Sequence, residues 1–297
     1  MQPAARPAAL PAVSAAEDVC VCLPPSSTED NAKTTNPDSE TKDLLGWKAW
    51  LNVHHSRDNS GHQVLCIQPS DKFLDHKSFA EFVSAFSDAS SWTENPVVQF
   101  FRHLDCYVRH ALKVDDFHLS VEDYKGDSRS HDSHVVRVGF CVRIYYGKNY
   151  QSCLKDRALC ISCDLDNDVS KAAFLYSSRF HNLWLDAKAR SMFVVTPHRH
   201  VERLSQLSDE ELFSFWSEAC ALLASEYDCA LPAVQFDRMV VNQGLYRNLS
   251  HLHMKVYTGK SRWVALQRTW QVDRWRKWER IIQLASDREI VRQLIGP

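Results

Sequence analysis

Beyond residue 43 the chain is a succession of apolar runs whose spacing switches between the strand and helix periods. Residues 63–67 form a short apolar run that predicts a strand, and 77–86 predicts a helix. Pro96 stands where a stronger helix opens. Val97, Phe101, Leu104, Val108 and Leu112 follow at helical spacing and predict a broad buried face. Strands are expected at 117–121 and 135–146, linked by the polar stretch 125–133 as a hairpin loop or a longer excursion. Order is expected to begin near Leu44, with Trp47 and Trp50 as early core residues.

The second half is more regular. Phe174-Leu175-Tyr176 and Leu183-Trp184-Leu185 read as two strands of a hairpin, and Met192-Phe193-Val194-Val195 as an apolar strand ending at Pro197. Ser208 followed three residues later by Glu211 is a capping box that opens a helix. Its buried face comprises Leu212, Phe215, Trp216, Ala219, Cys220, Leu223 and Tyr227. Residues 235–241 predict a strand, Asn242-Gln243-Gly244 a turn, and 250–256 a further strand. In that last strand His251, His253 and Lys255 alternate with Leu252, Met254 and Val256, so the two sets occupy opposite faces. The order strand, helix, strand, turn, strand predicts an α+β fold, a mainly antiparallel sheet with a long helix across one face. Residues 260–295 are helical in composition, with Ser286 and Glu289 as a second capping box for a short final helix.

Four segments follow from this pattern. Residues 1–42, rich in Pro, Ala, Ser and Thr, read as disordered. Residues 43–150 form an N-terminal α+β region, 151–259 the domain carrying the histidine strand, and 260–297 the C-terminal helices. The 297 residues are 44% hydrophobic and 24% charged with a net charge of -2, which points to a soluble protein and argues against strong binding of long duplexes or of a membrane. No apolar run approaches the ~20 residues of a membrane span, and the N-terminus lacks the features of a secretory signal. A cytoplasmic or nuclear location is the expectation. The ten cysteines are scattered, which favours free thiols or metal ligands over a disulfide framework.

Two imidazoles and an ammonium on one strand face suit an anion or a metal, but an ordinary half-exposed strand would show the same alternation. His54, His55, His118, His131 and His134 read as structural or surface residues. The C-terminus interleaves Trp263, Trp270, Trp275 and Trp278 with Arg262, Arg268, Arg274, Arg276, Lys277 and Arg280. Such a pattern can hold a single-stranded nucleic-acid end by phosphate contact and stacking. A docked helix with Trp inward and Arg outward is the favoured reading.

Residues 160–257 resemble a histidine-triad domain. The features that agree in order are Phe193 to Leu204 with its Pro197, His198 and His200, the helix start at Leu207 to Glu211, the turn Val240-Val241-Asn242-Gln243-Gly244, and His251-Leu252-His253 as two-thirds of an H-x-H-x-H signature. The third position is Lys255. The glycine-glutamine pair usual before the signature is absent, as are the proline and histidine usual in the nucleoside-holding segment, here Asp186 to Arg190. The resemblance implies a nucleotide hydrolase or nucleotidyl transferase acting on a purine nucleotide or a nucleotidylated substrate. In it His253 attacks the α-phosphorus, His251 orients it or binds metal, and Lys255 replaces the third histidine as a cationic phosphate ligand. It implies Asn242, Gly244, Arg247, Asn248, Ser250 and Asp186 around the nucleotide and its phosphate. A rival register takes Leu249, His251 and His253 as the triad, with His251 as nucleophile. Some members of the family hold a structural zinc, and the matching positions here are Cys160, Cys163, His200 and His251. Members also pair as homodimers. The alternative expectation is a non-catalytic protein that binds a nucleotide or RNA end and keeps the fold and the zinc.

Overall fold

The computed structural model describes residues 51–57, 63–69, 76–88, 90–123, 139–147, 160–229, 235–247 and 249–295. The segment 1–42, Trp47, Trp50, the link 125–133, His131, His134 and Asn248 lie outside the described residues. The strands are β1 (Leu51–Arg57), β2 (Gln63–Pro69), β3 (Phe117–Asp123), β4 (Phe140–Tyr146), β5 (Phe174–Ser177), β6 (His181–Leu185), β7 (Met192–Pro197), β8 (Arg238–Gln243) and β9 (Met254–Tyr257). The helices are α1 (Phe79–Ala85), α2 (Pro96–Cys106), α3 (Asp168–Ala173), α4 (Asp209–Glu226), α5 (Lys260–Gln267) and α6 (Val272–Ile295).

The nine strands of the described residues join one sheet in the order β1-β2-β4-β3-β8-β9-β7-β6-β5. Every neighbouring pair is antiparallel. The expected α+β architecture, an antiparallel sheet with a long helix across one face, is therefore present. The sheet is continuous across the segments 43–150 and 151–259, because β3 pairs with β8, Leu119 opposite Val241. Two units of equal connectivity meet there. The first runs β1, β2, helices, β3, β4, and the second β6, β7, α4, β8, β9. Their spatial orders, β1-β2-β4-β3 and β8-β9-β7-β6, are mirror sequences, so a local two-fold axis passes between β3 and β8.

Alternation divides the sheet into a helix-covered face and a polar face. Leu65, Ile67, Leu119, Val121, Phe193, Val195, Met239, Val241, Met254 and Val256 are all buried on the first. Helices of both units cover it together. Phe101 of α2 stacks on Trp216 of α4 with ring centroids 4.1 Å apart, and Phe79 of α1 meets the same indole edge-on. Truncating Phe101 to Ala would cost ~3–5 kcal/mol by the usual cavity penalty. Arg102 adds a polar tie from α2 to the start of α4, donating to Asp209 at 2.9 Å and to the Leu207 carbonyl at 2.6 Å.

The C-terminal helices dock on the domain. Trp263, Trp270, Trp278 and Ile281 are buried, and Trp263 packs on Phe193 of β7. Three of the four tryptophans in the C-terminal segment thus have no free face for a nucleic-acid base, and Trp275 is the exposed one. One expectation is corrected here. Ser286 does not start a new helix, because α6 runs unbroken through it to Ile295. The helix is already anchored by Trp278 and Ile281 before Ser286 is reached. No helix among the described residues is long and apolar enough to cross a membrane.

Candidate active site and metal cluster

The histidine stretch leads into β9 instead of forming its start. The Leu252 amide leaves the ladder and donates to the Val201 carbonyl at 2.7 Å, so His251 and His253 sit on an irregular entry to Met254. That bond ties the stretch to the loop carrying His198 and His200. The same loop is held from the other side by α4. Ser208 Oγ accepts from the Glu211 amide and Glu211 accepts from the Ser208 amide, the expected capping box. The Glu211 carboxylate also takes Arg199 Nη2 at 2.7 Å, fastening the residue next to His200.

Cys160 and Cys163 lie on one tight turn, closed by the Cys163 and Asp164 amides donating to the Cys160 carbonyl. This turn presents both sulfurs to His200 and His251. Cys160 Sγ is 3.3 Å and Cys163 Sγ 3.4 Å from His251 Nδ1, and Cys163 Sγ is 3.4 Å from His200 Nδ1. The four ligand atoms lie within 4.8 Å of one another, a cluster able to hold a metal ion. Fully buried His251 donates from Nε2 to the Pro197 carbonyl at 2.9 Å, which leaves its Nδ1 lone pair aimed at the sulfurs. Burial and then the nearby His200 push His251 down to about 4, so its ring is neutral at physiological pH. Burial, with the Cys160 thiol beside it, pushes Cys163 up to about 11.

His253 is built differently. Its Nδ1 donates to the His251 carbonyl at 3.0 Å, and Nε2 makes no hydrogen bond among the described residues. Burial, then the Lys255 ammonium, hold it down at about 4. The result is a neutral imidazole of fixed tautomer with an unshared pair at Nε2. Lys255 follows on the polar face, opposite Val194 of β7 and Val240 of β8. Burial first, then Arg190, lower it to about 8, with Lys188 and Arg238 adding to the effect and Asp186 opposing it.

The remaining expected residues fall into three groups. Asn242 lies on β8 on the polar face and accepts from His118 Nδ1 of β3 at 2.8 Å. Gly244 has φ +56° and packs so closely on Asp116 that any Cβ would collide with its carboxylate, which also accepts from the Leu245 amide. Buried Arg247 donates to the Gly244, Glu202 and Ser250 carbonyls and to the Glu202 carboxylate, bracing the loop between β8 and β9. Asp186, on the β6–β7 turn, grips Arg190 through two bonds of 2.9 Å and accepts from the Lys188 and Arg190 amides. The sequence reads His118 as structural or surface, and it does not single out Arg190 or Arg238. The i,i+4 spacing of Asp186 and Arg190 directly after a strand is the one signal that could have found Arg190.

No protein-family model and no curated protein matches the chain. Among solved structures it is similar to a uridylyltransferase, at 13% identity and a TM-score of 0.44 over 76% of this chain and 75% of that one. It is similar also to a GalT-like protein from Arabidopsis thaliana, at 7% identity and a TM-score of 0.42 over 67% and 66%. A third is an ADP-glucose phosphorylase from Arabidopsis thaliana with bound ADP-glucose, at 7% and 0.40 over 71% and 75%. At such identities and scores the chemistry of the site has to come from its own residues.

Proposed function

We propose that the chain is a nucleotide hydrolase or nucleotidyl transferase that works through a nucleotidyl-histidine on His253. The observation that carries this reading is the buried, neutral imidazole whose Nδ1–H is held by the His251 carbonyl while Nε2 stays unshared. In the first step Nε2 attacks the α-phosphorus, a P–N bond forms, and the bond to the leaving group breaks with its electron pair departing on that group. In the second, water or another acceptor attacks the same phosphorus, the P–N bond breaks, and the imidazole is restored. His251 does not suit the nucleophile's role, since both its ring nitrogens are engaged, by the sulfurs and by the Pro197 carbonyl. In this reading Lys255 and the Asn242 amide face the phosphate, and Ser250, whose carbonyl Arg247 holds, lies beside them. Asp186, which holds Arg190, borders the nucleotide in this reading.

We further propose that the Cys160, Cys163, His200 and His251 cluster holds zinc. Two thiolates and two imidazoles are a typical closed structural set, and ideal tetrahedral Zn–S and Zn–N bonds place S and N ~3.5 Å apart. The observed S···N separations of 3.3 and 3.4 Å match that edge. When bound, the ion supplies a fixed tie between the Cys160 turn, the His200 loop and His251. The His251 carbonyl then carries that rigidity to His253.

Turnover of AMP phosphoramidate and of diadenosine polyphosphates by wild type and His253→Ala tests the first proposal. Wild type should release AMP, and the variant should lose on the order of 10³-fold or more in kcat. A wild type that binds nucleotide yet releases no more AMP than the variant would establish the non-catalytic reading instead. Lys255 in place of a third imidazole is the feature that favours that alternative.

A further inference from the structure

The end of β9 remote from His253 opens on a second cleft. The strand stops at Tyr257, and Thr258-Gly259-Lys260-Ser261 leads directly into α5. Five residues of chain, roughly 16 Å when extended, separate Thr258 from His253, so the cleft lies apart from the histidine site. Its volume is about 860 Å³. Gly259 has φ +76°, and a Cβ there would strike the Asp237 carboxylate, so this turn requires glycine. No side chain caps α5, which leaves the N–H groups of its first turn, and the positive end of its dipole, to whatever occupies the cleft. Fully buried Thr258 lines the cleft, and its Oγ1 has no hydrogen-bond partner among the described residues. The Tyr227 hydroxyl nearby does not satisfy it and is itself without a partner there. Arg262 is half-satisfied in the same way. Its Nη2 donates to Gln235 Oε1 at 2.8 Å, whereas Nη1 is buried without a hydrogen bond, 3.8 Å from the Asp237 carboxylate. Buried donors left unmade are costly, and a ligand that accepts from them removes the cost. Among the lining residues Lys260, Arg262 and Arg268 set three cations against one carboxylate, Asp237.

We propose that this cleft is a second ligand site, which holds one phosphate group, free or terminal on a small ester, at the start of α5. The phosphate oxygens accept from Thr258 Oγ1, the Ser261 hydroxyl and the first-turn amides, while Lys260, Arg262 and Arg268 balance the charge. A phosphate dianion with three acceptor oxygens matches this donor set better than a carboxylate with two. Glycine, lysine and serine in succession between a strand and a helix also end the loops that cradle nucleoside triphosphates. The opening glycine of such a loop would fall at Met254, which here is a buried β9 residue paired with Val195 and Val241. No long loop therefore wraps a chain of phosphates, and a single group is what the turn can grip. The cleft is larger than a phosphate and falls within the ~300–1,000 Å³ of small-molecule sites. Val264 and Ala265 give it an apolar wall against which the body of an ester fits.

Amide NMR of the full chain tests the site, with inorganic phosphate and phenyl phosphate titrated at an ionic strength held constant with chloride. The Gly259, Lys260 and Ser261 amides should shift and saturate. His253→Ala should leave that affinity within about twofold, because the two sites are far apart. Thr258→Val keeps the shape and removes Oγ1, so it should weaken phosphate by about fivefold or more. The melting temperature of this variant without ligand should hold or rise, since an unpaired buried hydroxyl is gone. Lys260→Gln combined with Arg268→Gln should weaken binding by about tenfold. Tighter binding of phenyl phosphate identifies an ester whose body lies on Val264 and Ala265, and equal binding identifies inorganic phosphate as the ligand. Shifts that do not saturate, or that chloride alone reproduces, overturn the site. So does a Thr258→Val variant that melts below wild type while binding phosphate equally well, because Oγ1 is then a structural group and not a ligand contact.

Discussion

Two neighbouring histidines here divide their labour by their hydrogen bonds. His251 turns Nδ1 to the cysteines and gives its carbonyl to His253, so the proposed metal ligand would also set the tautomer of the proposed nucleophile. Cys160→Ala should therefore strip metal from the purified protein and lower its melting temperature, because zinc in such sites contributes apparent binding free energies of about 10–16 kcal/mol to the folded state. Elemental analysis beside thermal melts checks this, and a metal-free yet fully folded wild type would refute the zinc. Lys255 carries a pH signature. Its folded pKa of about 8 lies below the ordinary 10.5, so the folded state releases this proton first. Its charge opposes folding below pH 8, and the penalty is relieved as pH rises from there toward 10.5. Phosphate binding at Lys255 in the proposed site has the opposite slope, since it needs the ammonium. Nucleotide affinity should fall as pH rises above 8, by up to tenfold per unit, and Lys255→Arg should flatten the profile. The groups facing this ammonium are Arg190, Lys188 and Asp186 from the β6–β7 turn and Arg238 from β8.

At the level of elements, the start of α4 is both a cap and a clamp. Ser208→Ala removes only the cap and should cost about 1 kcal/mol, read as a small shift in melting temperature. Glu211→Ala removes the cap's second half and the hold on Arg199, so it should cost more and loosen the His200 loop, which metal affinity would report. Gly244→Ala should be the harsher change, since φ +56° and the Asp116 carboxylate both exclude a Cβ. The Ser208 box was legible in the sequence because capping is local and an apolar stripe follows it. The Ser286 box carries the same letters but falls inside a helix already fixed by buried Trp278 and Ile281, so packing overrides the local signal. The polar face was legible only in part. Alternation put His253 and Lys255 together, but Arg238, His118 and Arg190 reach the site by cross-strand register and turn geometry, which no local pattern records.

Across the whole molecule the decisive contact is the β3–β8 ladder. It covers the β8 edge with a strand drawn from more than a hundred residues upstream, and such long-range pairings leave almost no trace in sequence. Residues 160–297 produced alone should expose that edge and self-associate or aggregate, which size-exclusion chromatography with light scattering would show. Monodisperse, folded monomer from that fragment would count against the ladder's importance.

The local two-fold axis has a stoichiometric corollary. β4 holds the place in the first unit that β9 holds in the second, yet its described residues with their lead-in, 139–146, include no histidine and present Arg143 and Tyr145 on the polar face. Symmetry of the scaffold is thus not symmetry of the chemistry. Rapid quench with a labelled nucleotide should reach a burst of one nucleotidyl group per polypeptide, and two would mean that the first unit has kept a reactive centre of its own.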